Sequence, residues 1–344
     1  MAAVLNRRSR IHLKLELLQP SGSFKSRGIG QYLLAHLPAN PNAHFYSSSG
    51  GNAGLACVYA ARSLGRPASV VVPLSTKPLM ITKLHAAGAT EVIQMGQSWA
   101  EADAYLREEL LVKDPTGVYV PPFDHPEIWA GHSTVIDEIY TQLEGKAPDA
   151  IICSCGGGGL FNGVMEGLDR AAWSSVPVLV METAGAESLY ASVQAGELVT
   201  LPGITSQATS LGARRVSAKS FEYAQRENVK CVVLDDAEAA MGCYRLADDE
   251  RLMVELACGV NVALCYDGRL ERALGRKLSP DANVVIILCG GSNVTVNMMA
   301  EWRKEFGYIE KMIPKHDGVP SDVVAPNGIN GVNGGHGVNG VRGA

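Results

Sequence analysis

Asp149-Ala150-Ile151-Ile152-Cys153-Ser154 runs straight into Cys155-Gly156-Gly157-Gly158-Gly159-Leu160, and the fold is read outward from that junction. A short apolar run without alternation reads as a strand covered on both faces, the pattern of a parallel sheet. Four consecutive glycines then turn the chain with no Cβ in the way, and residues 160–170 continue at helical spacing. Strand, glycine turn and helix N-terminus together leave a concave set of unpaired backbone N–H groups at the carboxyl edge of a sheet. Unpaired amides and the helix dipole both favour negative charge, so the junction is a candidate anion site.

Three further segments share its small-residue character: Ser21-Gly22-Ser23-Phe24-Lys25-Ser26-Arg27-Gly28, Ser47-Ser48-Ser49-Gly50-Gly51-Asn52-Ala53-Gly54, and Cys289-Gly290-Gly291-Ser292-Asn293. The last two follow strands expected at 44–47 and 283–289. Other strands are expected at 69–73, 91–95, 178–182 and 230–234, and helices at 53–64, 78–87, 98–111, 132–143, 160–170 and 237–247. This alternation defines an α/β protein with open twisted sheets, and the uneven unit lengths argue against a closed barrel. Residues 156–161 do not satisfy G-x-G-x-x-G, and no Gly-Lys-Ser/Thr ends a phosphate loop, so the anion is not expected to be the phosphate of NAD or ATP.

The chain has 344 residues, room for about two domains. A net charge of -5 with no basic stripe excludes a nucleic-acid footprint, and no run approaches the ~20 apolar residues of a spanning helix. The first 15 residues lack the apolar core of a secretory leader, so a cytoplasmic location is expected. Eight scattered cysteines show neither zinc spacing nor a disulfide framework, which points to reduced buried thiols. The histidines form no ligand pattern, so no zinc is expected. Residues 315–344, rich in Gly, Asn and Val, hold too few large apolar side chains to offset ordering and are expected to form a flexible tail. Taken alone, Lys25 reads as a solvated surface lysine. At a helix start, however, the dipole opposes a cation and lowers the ammonium pKa, the condition an amine needs to react with an aldehyde.

Ser-x-Ser-Phe-Lys-x-Arg-Gly, Ser-Gly-Gly-Asn-Ala-Gly, the tetraglycine loop and the late Cys-Gly-Gly-Ser-Asn, in this order, resemble the motifs of the fold-type II pyridoxal-phosphate enzymes, most closely the eukaryotic L-serine/L-threonine dehydratases. The stretches beginning Met181-Glu182-Thr183, Leu201-Pro202-Gly203, Thr209-Ser210-Leu211 and Val254-Glu255 extend the resemblance over residues 15–297. It implies two α/β domains of the tryptophan synthase beta-like kind with the cofactor in the cleft between them. Residues 1–20 and 124–314 would form the large domain and 21–123 the small one.

The resemblance also implies roles. Lys25 would hold pyridoxal 5'-phosphate as an imine and remove the substrate Cα proton. Phe24 would pack on the ring, Asn52 would bond its phenolic oxygen, and Gly156, Gly157, Gly158, Gly159 and Leu160 would cradle the phosphate. Ser49, Gly50, Gly51, Asn52 and Ala53 would grip the substrate carboxylate, with room beside the substrate at Gly50. Cys289 would face the pyridine nitrogen. A neutral thiol cannot keep that nitrogen protonated, which favours prompt loss of a β-hydroxyl. Glu182, at a strand end, is expected near the cofactor, and either it or the cofactor phosphate would give the proton to the leaving hydroxyl. A monovalent cation such as K+ would be held at Gly156, Ala186, Ser188, Leu211 and Ala213, and a homodimer is implied.

The expected reaction is α,β-elimination: L-serine to pyruvate and ammonia, and L-threonine to 2-oxobutyrate. Serine racemisation or β-replacement is the same-fold alternative, and Gly50 lacks the hydroxyl that racemisation commonly uses. A PLP-binding protein without turnover is the alternative of another class, because family members usually carry a strand and helix ahead of the segment that starts here near Ile11.

Overall fold

A computed structural model describes residues 10–312. In chain order it runs β1 (Arg10–Lys14), α1 (Lys25–His36), β2 (His44–Ser47), α2 (Asn52–Ser63), β3 (Ala68–Val72), α3 (Pro78–Ala87), β4 (Glu91–Gln94), α4 (Trp99–Tyr105) and β5 (Gly117–Tyr119). There follow α5 (Pro126–Gln142), β6 (Ala150–Ser154), α6 (Gly159–Arg170), β7 (Val178–Thr183), α7 (Ser188–Ala195), α8 (Ala218–Ala224) and β8 (Val229–Leu234). The last stretch holds α9 (Asp236–Glu250), α10 (Leu256–Ala263), α11 (Arg269–Leu274), β9 (Asn283–Ile287), α12 (Val296–Phe306) and α13 (Ile309–Met312).

The strands form two parallel sheets, β1-β9-β6-β7-β8 and β4-β3-β2-β5, so the α/β class with open sheets is correct. The unalternating strands behave as their composition demands: every residue of β3, β6 and β7 is buried, because helices cover both faces. Each sheet has its own apolar core, one around Ile151, Val180 and Ile286, the other around Leu33, Phe45 and Val70.

Strand order explains where a ligand can sit. In the first sheet β6, β7 and β8 step one way and β9 returns on the other side of β6; in the second, β2, β3 and β4 step one way and β5 returns beside β2. Each sheet therefore has a switch point, between β6 and β9 and between β2 and β5, where loops leave in opposite directions and open a crevice. The loops emerging there are 155–158, 288–295, 48–51 and 120–125. Three of these carry the small-residue motifs.

Four elements depart from expectation. The edge strands β1 and β5 are additional, and α5 begins six residues before 132 because His125 caps it, its Nδ1 accepting from Glu127 N at 3.2 Å, with Pro126 at the first turn. The helix expected at 98–111 stops at Tyr105 and continues as a wide turn over Leu106–Leu110 and a tight one over Leu111–Lys113. No helix among the described residues is long and apolar enough to cross a membrane. The tail expected at 315–344 lies outside the described residues.

Candidate active site

The turn before α1 is stitched to the loop after β9. Gly22 adopts φ +79° and its carbonyl accepts from Gly291 N at 2.9 Å, while Phe24 N donates to Cys289 O at 3.1 Å. Gly290, at φ +84°, lies so close that a Cβ there would stand 2.5 Å from Gly22 O. Lys25 is thereby held as the first residue of α1, its Nζ donating to the Pro122 carbonyl from the loop after β5. Burial pushes its ammonium down to about 8, against a small opposing influence from Cys289. The Phe24 ring lies 5.2 Å from Nζ and packs against His132 at 4.9 Å.

At the β6–α6 junction the N–H groups of residues 156–161 have no hydrogen-bond acceptor among the described residues. These six consecutive donors at a helix N-terminus, backed by no side-chain cap, match the oxygens of a phosphate. Packing behind the loop demands glycine: an added Cβ would come within 2.4 Å of the Phe123 ring at Gly157 and 1.8 Å of Ser220 Oγ at Gly158, whose φ is +96°. Ser217 N bonds Gly157 O at 3.1 Å, and Ser217, Ser220 and Asn162 bond one another at 2.7–3.0 Å, so the loop is fixed from below. With the buried Lys25 amine nearby, the donor set fits pyridoxal phosphate.

The serine-glycine loop after β2 is held at Ser48, whose hydroxyl donates to Asp103 Oδ1 at 2.6 Å; Tyr119 OH and Arg107 Nε reach the same carboxylate at 2.7 and 2.8 Å. Ser49 Oγ accepts from Gly51 N at 3.3 Å, and the N–H groups of Gly50, Asn52 and Ala53 are without acceptors among the described residues. Gly50 is less roomy than expected, since an added Cβ would meet Thr76 Cγ2 and Val72 Cγ1 at 3.0 Å. Asn52 starts α2 and crosses to the other sheet's loops: its Oδ1 accepts from Ser292 N at 2.9 Å, and its Nδ2 donates to Glu255 Oε1 at 2.9 Å.

Cys289 is buried, with Sγ 3.5 Å from Ser154 Oγ and 3.7 Å from Ala257 O. Glu182 is buried at the end of β7. Its two carboxylate oxygens accept from Leu189 N at 2.9 Å and Tyr190 N at 2.8 Å, capping α7, and burial pushes its carboxyl up to about 8 against those two donors. The positions expected around a cation lie close by: Ser188 Oγ is buried without a partner, Ala186 N bonds Thr183 O at 2.9 Å, and an added Cβ at Gly156 would stand 3.1 Å from Leu211 Cα. The Leu211 carbonyl already accepts from Ala213 N at 2.7 Å.

Two site residues carry no role in the sequence reading. Glu255 lies in a stretch singled out only for its resemblance; it is 5% exposed and accepts from Asn52 Nδ2 at 2.9 Å and Asn293 N at 3.1 Å. Asp103 had no sequence signal, since an acidic residue on a helix ordinarily faces water. A pocket of about 240 Å³ opens beside Glu255, lined by Lys77 ahead of α3, the loop residues Ser210 and Asn293, Ala257 of α10 and Trp302 of α12.

A half-buried lysine on a helix start, a tetraglycine anion cradle and loops from two parallel sheets converging on them define a pyridoxal-phosphate enzyme of the fold-type II class. The chain belongs to the family described as pyridoxal-phosphate dependent enzyme, which matches residues 2–290. It is 44% identical over 303 residues to an L-serine dehydratase of Saccharomyces cerevisiae, covering 83% of this chain and 89% of that one. It is 43% identical over 299 residues to the L-serine dehydratase/L-threonine deaminase of Bos taurus, covering 86% and 90%. The crystal structure of a fungal L-serine ammonia-lyase from Rhizomucor miehei superposes with a TM-score of 0.81 at 39% identity, covering 86% of this chain and 93% of that one.

Proposed function

We propose that the protein deaminates L-serine to pyruvate and ammonia, and L-threonine to 2-oxobutyrate and ammonia. The observation that carries this reading is the Lys25 amine, buried and brought down to about 8, in the crevice that the glycine cradle also faces. Bound there, pyridoxal phosphate supplies an electron sink for charge developing at the substrate Cα. The chain's own groups supply the rest. Free N–H groups of Gly50, Asn52 and Ala53 orient the substrate carboxylate, and Lys25, whose amine burial brings toward neutrality, accepts the Cα proton. The β-hydroxyl leaves as water, and the released enamine hydrolyses to the 2-oxo acid and ammonia. Asn52 and Cys289 address the phenolic oxygen and pyridine nitrogen, and residues 156–160 the phosphate.

Beside the cradle, Gly156, Ala186, Ser188, Leu211 and Ala213 would hold a monovalent cation such as K+; the partnerless Ser188 hydroxyl supports this. Two domains divided near residues 20 and 123, a homodimer and a cytoplasmic location complete the reading. Eight buried unpaired cysteines favour a reducing compartment.

The test is incubation with L-serine while 2-oxo acid is followed, with Lys25→Ala as control. The reading requires product from the parent protein, none from the variant, and a borohydride-fixed adduct that maps to Lys25. An adduct elsewhere, or none, overturns it.

A further inference from the structure

The Asn52 side chain is an amide whose two ends are told apart by their surroundings. Its Oδ1 faces a donor that cannot turn, the Ser292 backbone N–H at 2.9 Å, and its Nδ2 faces an acceptor that cannot donate, the Glu255 carboxylate at 2.9 Å. Of the two Nδ2 protons one goes to Glu255, and the other points toward Ser210 Oγ at 3.4 Å, a distance that leaves it weakly bound. The frame around this amide is built for the carboxylate. Gly291, at φ +116°, is where a Cβ would stand 2.0 Å from Glu255 Cδ, so the glycine makes room for it. Lys83, from α3, donates to the Ser292 carbonyl and so holds the peptide whose N–H, that of Asn293, bonds Glu255. The Asn52 and Lys83 contacts cross between the segments of the two sheets.

We propose that Glu255 is a positioning residue that locks the Asn52 amide in one orientation, so that its remaining N–H is presented to the cofactor's phenolic oxygen. This rests on the cofactor reading above. The choice of Glu over Gln at position 255 is itself an argument. Both oxygens accept from donors, Oε1 from Asn52 and Oε2 from Asn293 N at 3.1 Å. A glutamine offers one acceptor and must turn its own NH2 toward one of them, so either the Asn293 peptide or the Asn52 amide gives way.

The experiment titrates the visible absorption band of the holoenzyme against pH, without substrate, in wild type, Glu255→Gln, Asn52→Ala and the double variant. A hydrogen bond to a charged oxygen corresponds to roughly one pH unit of midpoint. E255Q is expected to move the midpoint in the same direction as N52A and by at least half as much, and to add nothing in the N52A background. Glu255→Asp, which keeps both acceptors on a shorter stem, is expected to shift it less, and it serves the comparison if E255Q does not fold. An unmoved midpoint in E255Q overturns the proposal. So does a shift that persists in the N52A background, since Glu255 would then act by its charge and not through Asn52. A wild type with no borohydride-fixed adduct on Lys25 fails earlier, at the cofactor reading itself.

Discussion

Changing Glu16 to Gln probes how α1 is held, and with it the lysine. Arg27, two residues after Lys25, places Nε and Nη2 on the two Glu16 oxygens, both at 2.7 Å, and Nη1 and Nη2 on the two Glu138 oxygens, also at 2.7 Å. Glu16 is 1% exposed, so its carboxylate depends wholly on this fork. Removing one partner of a buried pair costs about 3–5 kcal/mol, and Gln keeps one acceptor, so Glu16→Gln should cost about 2–3 kcal/mol. In a chain of this size that corresponds to a fall of about 3–4 °C in Tm. Glu138 is the internal comparison. Arg27, aided by Lys14, holds its carboxyl at about 2, below the ordinary 4.5. The stabilisation is therefore complete above about 4.5 and lost as pH falls toward 2. That gap corresponds to roughly 3 kcal/mol, but the Glu138 side chain is 46% exposed, and solvent screening reduces it to about 1 kcal/mol. Thermal unfolding of both variants at pH 7 and pH 3 reads the difference. Glu16→Gln should be clearly the weaker protein at pH 7, and the Glu138→Gln deficit should shrink at pH 3. Equal losses at pH 7, or a Glu16→Gln Tm within about 1 °C of wild type, would refute the view that α1 is fixed by a buried fork.

The rate at which cofactor-free protein develops its visible band with added pyridoxal phosphate should rise with pH about a midpoint near 8, where burial places the Lys25 amine; stopped-flow mixing that finds a midpoint near 10 contradicts this. The same depression means that charging Lys25 destabilises the cofactor-free fold below about 8, a penalty that fades as pH rises toward the ordinary lysine value of 10.5. Gly157→Ala pushes a methyl to within 2.4 Å of the Phe123 ring, and should cost about 1–3 kcal/mol of stability and weaken cofactor binding roughly tenfold; equilibrium titration with unchanged affinity would discount the cradle. Asp103→Asn leaves one of three donors, from Ser48, Tyr119 and Arg107, facing an NH2, and should raise KM for L-serine severalfold with a smaller change in kcat; a lowered kcat at unchanged KM would mean that the loop does not serve binding.

What could be read from the amino acids was what local chemistry dictates. The apolar runs at 150–154 and 178–183 declare themselves as buried strands because both their faces meet helices, and the glycine turns mark places where a Cβ has no room. β5 escaped because three residues carry no periodicity, and β1 because an edge strand with His12 and Lys14 has a composition that a surface loop shares. The early start of α5 was hidden in His125, whose ring nitrogen caps the helix in a way the usual Ser, Thr, Asp and Asn signals do not announce.

The polar residues divide along a different line. Lys25, Asn52 and the tetraglycine loop belong to contiguous motifs, each made by one strand end and one helix start, so their local setting follows from neighbours in sequence. Glu16, Asp103 and Glu255 gain their meaning only from partners 11, 55 and 203 residues away. In sequence each is an isolated acid that water would normally solvate, and only the return of β5 beside β2 and of β9 beside β6 brings it to its donors. Glu182 shows the converse. Its position at a strand end suggested an acid serving the reaction, yet the same strand end faces the N-terminus of α7, where two backbone N–H groups take both oxygens. A carboxylate at the edge of a parallel sheet thus has two kinds of partner within reach, ligand and helix, and the length of the loop that follows decides between them. Here only four residues separate β7 from α7, too short a link to carry the helix start away from the strand it follows.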